Sequence, residues 1–284
     1  MTMTTERGKN GAVPPEGEWG VVLLAHGSQR GTHTIDGLRE MVSRLQVRLA
    51  GNRARVRMAC LEFIQPDLPQ AVGELVSEGC TDITVMPFLL GQGTHTTDDL
   101  EEEIARSLEV YPQARIKASD VFGPDPALVD IVVGRVLEQG TAGLSFDRLR
   151  TNGTDSGAPI GVMLVKAGTR SQAEDHLWLF KMGSMLGERL GSRYAVAVAQ
   201  SHFGSPTMEE AAVELVEKQG VSAVTCVPYI FFPGLILTRN IMGGLETLGQ
   251  KYPNVGFDVT PTLGIEDKLV ELTARRVLDS RNGN

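Results

Sequence analysis

The chain has 284 residues, 42% of them hydrophobic and 22% charged, with 32 glycines; this fits two α/β domains of ordinary size and excludes a disordered or fibrous chain. A formal net charge of −8 excludes broad nucleic-acid binding, which needs a basic face to displace counterions from phosphates, so an anionic ligand must meet a local cluster of arginines. No segment offers about 18 continuous apolar residues, so no membrane span is expected.

Residues 1–18, MTMTTERGKNGAVPPEGE, are polar and rich in Pro and Gly without an apolar core, and read as a disordered tail on a cytoplasmic protein. WGVVLLAHGS then reads as a buried strand, and IDGLREMVSRLQVRLAG as a helix closed by Gly51. RVRMACLEF is the next strand and DLPQAVGELVSEG the next helix. TDITVMPFLL is a third strand, TTDDLEEEIARSLEVYP a helix with acids in its first turn, ARIKASDVFG a fourth strand and PALVDIVVGRVLEQ a fourth helix. Strands alternating with helices imply a parallel sheet covered on both faces. Cys60, Cys80 and Cys226 lack CxxC spacing and two lie in or beside apolar runs, so they read as buried reduced thiols rather than disulfides or a zinc site.

After a Gly/Ser/Thr/Asn-rich linker, 139–158, the order begins again at IGVMLVKAGTRS. AHGSQR is answered by KAGTRS (167 − 26 = 141), EFIQPDLPQA by HFGSPTMEEA (206 − 66 = 140) and VMPFLLGQG by CVPYIFFPG (228 − 87 = 141). Three pairs in register imply a tandem duplication. The expected fold is α/β, with two similar lobes, 19–138 and 159–281, each a parallel sheet flanked by helices, and a cleft between them.

Open parallel sheets bind ligands outside the carboxyl ends of their strands. His26 ends the first strand, Glu62 the second, and His95 follows the third, so two imidazoles and a carboxylate converge at one edge. That set suits a borderline divalent cation such as Co²⁺, Fe²⁺, Ni²⁺ or Zn²⁺ with positions open for another ligand. The bland reading of a histidine beside a turn is a surface or capping residue.

LLAHGS, LEFIQPDLPQA, MPFLLGQGTHTTDDL and FGPDP resemble, as an ordered set, the HGS, FLE-x-x-x-P and FL-x-x-G-x-H-x-x-x-D patterns of the sirohydrochlorin chelatases. The resemblance covers residues 20–138 well and 159–280 more loosely, as in the duplicated long form of that family. It implies a chelatase-like pair of lobes and ATP-independent insertion of a divalent metal into a modified tetrapyrrole, in cobalamin or sirohaem synthesis. The metal (Co²⁺, Fe²⁺ or Ni²⁺) is then a substrate, with no organic cofactor. His26 and His95 match the family's metal-handling histidines, and Glu62 stands at an acidic position of the same site. Asp99 matches another, four residues after His95, where it would orient that histidine.

Inserting a metal releases two inner N–H protons, which a carboxylate or imidazole can accept. A polycarboxylate substrate of a negative protein needs local cations, and Arg30, Arg170 and Arg239 are candidate clamps. The alternative for each is a solvated surface arginine. Gly27, Ser28 and Thr94 are candidate donors beside the ring, or simply turn residues.

The second half departs at both signature positions, with Ala167 for His26 and Ile236 for His95. IFFPGLIL is expected to wall the cleft or to pack between the lobes. At the place of Glu62 stands His202, a candidate catalytic imidazole for metal delivery or proton removal; the alternative is a ring satisfied by its neighbours. Lys166 reads as solvated, and His33 and His176 as surface residues. Rival functions are a non-catalytic tetrapyrrole or metal carrier, and a nickel chelatase acting on a related macrocycle. Tandem halves within one chain favour a monomer.

Overall fold

WGVVLLA and IGVMLVK are apolar at nearly every position rather than at alternate ones, the pattern of strands covered on both faces, and each becomes a fully buried central strand. In the computed structural model, which describes residues 17–27, 32–91, 94–141, 159–168 and 177–283 (backbone only for 32–33, 94–97 and 140–141), these are β1 (Trp19–Ala25) and β5 (Ile160–Lys166). β1 lies between β2 (Ala54–Cys60) and β3 (Asp82–Pro87), with β4 (Arg115–Ala118) outermost, giving the parallel order β2-β1-β3-β4. β6 (Tyr194–Gln200), β7 (Ala223–Tyr229) and β8 (Gly256–Val259) repeat it as β6-β5-β7-β8. The first, third and fourth strands of the two halves begin 141 positions apart (160 − 19, 223 − 82, 256 − 115) and the second strands 140 apart (194 − 54). These are the offsets expected from the sequence.

The helices are α1 (Thr32–Arg48), α2 (Leu68–Ser77), α3 (Thr94–Val110), α4 (Pro126–Thr141), α5 (Leu177–Leu190), α6 (Met208–Ala212), α7 (Met242–Lys251) and α8 (Asp267–Asn282). A π-helical turn, Val213–Lys218, prolongs α6, and another, Ile236–Ile241, leads into α7. α2 and α6 start with the same reciprocal cap, Asp67 with Gln70 and Thr207 with Glu210, each contributing about 1 kcal/mol.

The last helix of each half packs on the other half. α8 lies against α1, β3 and β4, whereas α4 lies against α5 and β7. Arg281 of α8 stacks 4.2 Å above the ring of Trp19, and Arg48 of α1 forks onto Glu271 at 2.6 and 2.7 Å; Arg189 of α5 pairs with Asp130 of α4. One apolar core therefore runs through both lobes, from Leu38 and Leu45 through Leu128 and Val132 to Leu186, Leu269 and Val277, while each outer face keeps its own core.

The carboxyl ends of β3 and β7 meet where Phe88 stacks on Phe231 at 4.2 Å, with Phe122 edge-on to both. Of the IFFPGLIL segment, Phe231 and Phe232 thus go into packing between the lobes, and Leu235 is exposed. Near the two segments read as tail and linker, Glu18 pairs with Arg55 at 2.7 Å, and α4 continues to Thr141. The rest of both segments, 1–16 and 142–158, lies outside the described residues. Among the described residues no helix is long and apolar enough to cross a membrane, and all three cysteines are free and buried.

Candidate functional site

In a sheet ordered β2-β1-β3-β4 the connections diverge between β1 and β3, which opens a crevice at the carboxyl edge. The segments leaving those two strands carry His26 and His95. His26 follows β1 directly, and its carbonyl oxygen accepts a hydrogen bond from the Glu62 amide at 3.0 Å; one residue back, Ala25 O accepts from Leu61 N at 2.9 Å. The loop after β2 is thereby tied to the loop after β1. Gly27 makes this possible: its φ is +93°, and a β-carbon there would stand 2.0 Å from the Glu62 carbonyl oxygen. Both His26 and Glu62 are exposed.

Three details differ from the sequence expectation. Glu62 lies two residues beyond β2 rather than at its end, followed by Phe63 at φ 65°, a residue 58% exposed. α3 begins at Thr94, which puts His95 in its first turn and moves Asp98 and Asp99 to the second. Asp99, exposed and four residues on, shares the helix face of His95. The side chains of His95, Thr94 and His33 lie outside the described residues, as do Ser28, Arg30, Arg170 and His176 altogether. Within the described residues no three His, Cys, Asp or Glu side chains gather as a metal site; the described part of the expected set is His26 with Glu62.

The second half repeats the backbone and changes the chemistry. Ser201 N donates to Lys166 O at 2.9 Å, as Leu61 does to Ala25, and a β-carbon on Gly168 would fall 1.1 Å from the His202 carbonyl oxygen. His202 thus occupies the place of Glu62. Its Nδ1 lies 2.8 Å from Ser201 Oγ and 3.1 Å from Asn240 Nδ2. With the Asn240 amide nitrogen turned toward the ring, Nδ1 accepts, and the neutral imidazole then carries its proton on Nε2. Burial, and then the charge of Lys166, hold this imidazole below its ordinary pKa.

Lys166, read as solvated, is 6% exposed, with Nζ 5.8 Å from the centre of the Trp178 ring. It ends a central strand under the start of α5, where solvent is excluded from the face it shares with Val162 and Leu164. Arg239 is exposed on the π-helical turn that also carries Asn240. Sequence reasoning took Lys166 as solvated and did not single out Asn240; the constant offset is the signal that brings both to this site.

Two doubly wound parallel sheets sharing a core, with imidazole and carboxylate at one carboxyl edge, define a bilobal α/β protein of the chelatase type. The chain belongs to the CbiX family: the sequence model of that family matches residues 20–139 and again 161–280. It is 29% identical over 226 residues to the sirohydrochlorin ferrochelatase of Priestia megaterium, covering 79% of this chain and 78% of that protein. It is 25% identical over 234 residues to the sirohydrochlorin cobaltochelatase of the same organism, covering 80% and 70%. In fold it is similar to SirB from Bacillus subtilis, whose structure was solved with Fe³⁺, with a TM-score of 0.73 over 93% of this chain and 96% of that one at 20% identity.

Proposed function

We propose that this protein is a metal chelatase that inserts Co²⁺ or Fe²⁺, without ATP, into sirohydrochlorin or a closely related modified tetrapyrrole on the way to cobalamin or sirohaem. The observation that carries this reading is the hydrogen bond from the Glu62 amide to the His26 carbonyl, which ties the residues bearing an imidazole and a carboxylate together at the carboxyl edge of the sheet, in a family whose relatives carry that activity in their names.

His26, joined by His95 from the first turn of α3, takes the divalent cation through neutral imidazole while macrocycle nitrogens replace its other ligands. Glu62 accepts the inner N–H protons as the metal enters, a general-base contribution of about 10²–10⁴-fold. Asp99 orients His95. Gly27, Ser28 and Thr94 border the ring, and Arg30, Arg170 and Arg239 meet its carboxylates. The metal is a substrate, and no organic cofactor takes part. Free buried thiols at Cys60, Cys80 and Cys226 suit a reducing cytoplasm. The core shared by the two halves supports a monomer.

Purified protein given sirohydrochlorin and Co²⁺ should convert many equivalents, followed by absorption. Conversion of at most one equivalent would instead make it a tetrapyrrole or metal carrier, and faster turnover with Ni²⁺ on a related macrocycle would move it to that pathway.

A further inference from the structure

The offset of 141 holds at the strands before and after α3 (223 − 82, 256 − 115), so the residues between them correspond one to one. Asp98 therefore corresponds to Arg239 and Asp99 to Asn240 (239 − 98, 240 − 99). Ala25 corresponds to Lys166 by strand register, and Glu62 to His202 by the shared loop bonds. At these four positions the first half carries three carboxylates and no cation, and the second carries two cations, a neutral imidazole and an amide. The strand register and the loop bonds are retained, a π-helical turn stands where the first half has α-helix, and the charge is inverted.

A divalent cation has no place in that second frame. His202 has committed Nδ1 to Asn240 and Ser201, its outer nitrogen carries a proton, and Lys166 and Arg239 repel positive charge. The same groups suit an anion: an N–H donor, an exposed guanidinium on the residue preceding Asn240 in the chain, and an ammonium held at 6% exposure, where charge is felt more strongly than in water. We infer that Lys166, His202, Arg239 and Asn240 form a carboxylate subsite of the substrate, with His202 Nε2–H and Arg239 making the contacts, Asn240 fixing the tautomer and Lys166 supplying fixed positive charge beneath. The two halves divide the work, one handling metal and protons and the other anchoring the macrocycle by its acid groups. This rests on the reading of the substrate as a polycarboxylated tetrapyrrole.

The test is titration of metal-free sirohydrochlorin, and of its methyl ester, into wild-type protein and variants. His202→Ala, Arg239→Met and Lys166→Met should each weaken binding of the free acid about tenfold and leave binding of the ester and of Co²⁺ alone unchanged. The unchanged Co²⁺ affinity reports that the variants are folded. His202→Gln, which keeps a donor, and Lys166→Arg, which keeps the charge, should recover most of the binding. Variants that bind the free acid as tightly as wild type would overturn the subsite while leaving the chelatase reading intact. Loss of Co²⁺ binding in His202→Ala would overturn it in favour of a metal ligand. A wild-type protein that binds neither acid nor ester would overturn the substrate reading and the subsite with it.

Discussion

The ring of Phe232 lies against the bare α-carbon of Gly37, so close that a β-carbon there would stand 2.0 Å from Cε1. The equivalent pair (178 − 37 = 141, 232 − 91 = 141) is Trp178 with Gly91, where a β-carbon would stand 2.3 Å from the indole Cε2. The second half supplies the bulk at both helix and loop positions, and the first half supplies the space. Two copies of the first half would leave matching holes, and two copies of the second would collide, so the halves fit each other and not themselves.

Gly37→Ala should therefore cost about 1–3 kcal/mol by overpacking, read from urea unfolding. Combined with Phe232→Leu, the loss should be smaller than the sum of the single losses, because the two residues share one contact. Strict additivity would mean that the contact is not the one that limits packing.

Removing the imidazoles at the first-half edge should separate activity from folding. His26→Ala and His95→Ala are each expected to lower metal insertion at least 100-fold, as loss of a metal ligand or its support does, with the unfolding midpoint nearly unchanged. Glu62→Gln should slow insertion more than it weakens Co²⁺ binding. Equal losses in rate and binding would make Glu62 a direct ligand, and near-normal turnover in either histidine variant would place the site elsewhere.

Burial and the Lys166 charge hold the His202 pKa below its ordinary value of 6.5. The folded protein takes up this proton less readily than the unfolded chain, so the stability linked to His202 is complete above about pH 6.5 and is lost as pH falls through the folded pKa. Lys166→Met should raise the pKa of His202, measured by NMR titration of the ring Cε1–H. An unmoved titration would show that the lysine charge does not reach the ring.

Cys60, Cys80 and Cys226 are at most 1% exposed, and burial pushes all three thiols up, Cys226 to about 12. Native protein should resist iodoacetamide at neutral pH, and denatured protein should take up three labels. Rapid labelling of the native form would mark a thiol that the fold does not protect.

The strands, the helices and the repeat were legible in the sequence because long apolar runs such as VVLLA and VMLV have little alternative to a covered central strand. The equivalence of His202 to Glu62 was legible by counting alone, since both loops keep the same length around Pro66 and Pro206. The start of α3 was not legible, because glycine and threonine before His95 read as a turn. Nor was the burial of Lys166, which depends on α5 closing over the strand end. The charge inversion was not legible either, because TTDDL and LTRNI share almost no residue types at matching positions, and only strands fixed on either side bring Asp99 into line with Asn240. The exchange of α4 and α8 has no sequence signature at all: an amphipathic helix states that it covers a sheet and not which one.

That exchange changes what a half of this protein is. Cut at its middle, the chain would part α4 from the sheet it covers and α8 from the other, and each fragment would be left with a bare apolar sheet face and a helix that has nothing to lie on. The sequence is divided into two repeats, but the core is not: heat or denaturant should therefore meet one barrier to unfolding, and the half proposed to handle metal should not loosen without releasing the half proposed to anchor the macrocycle.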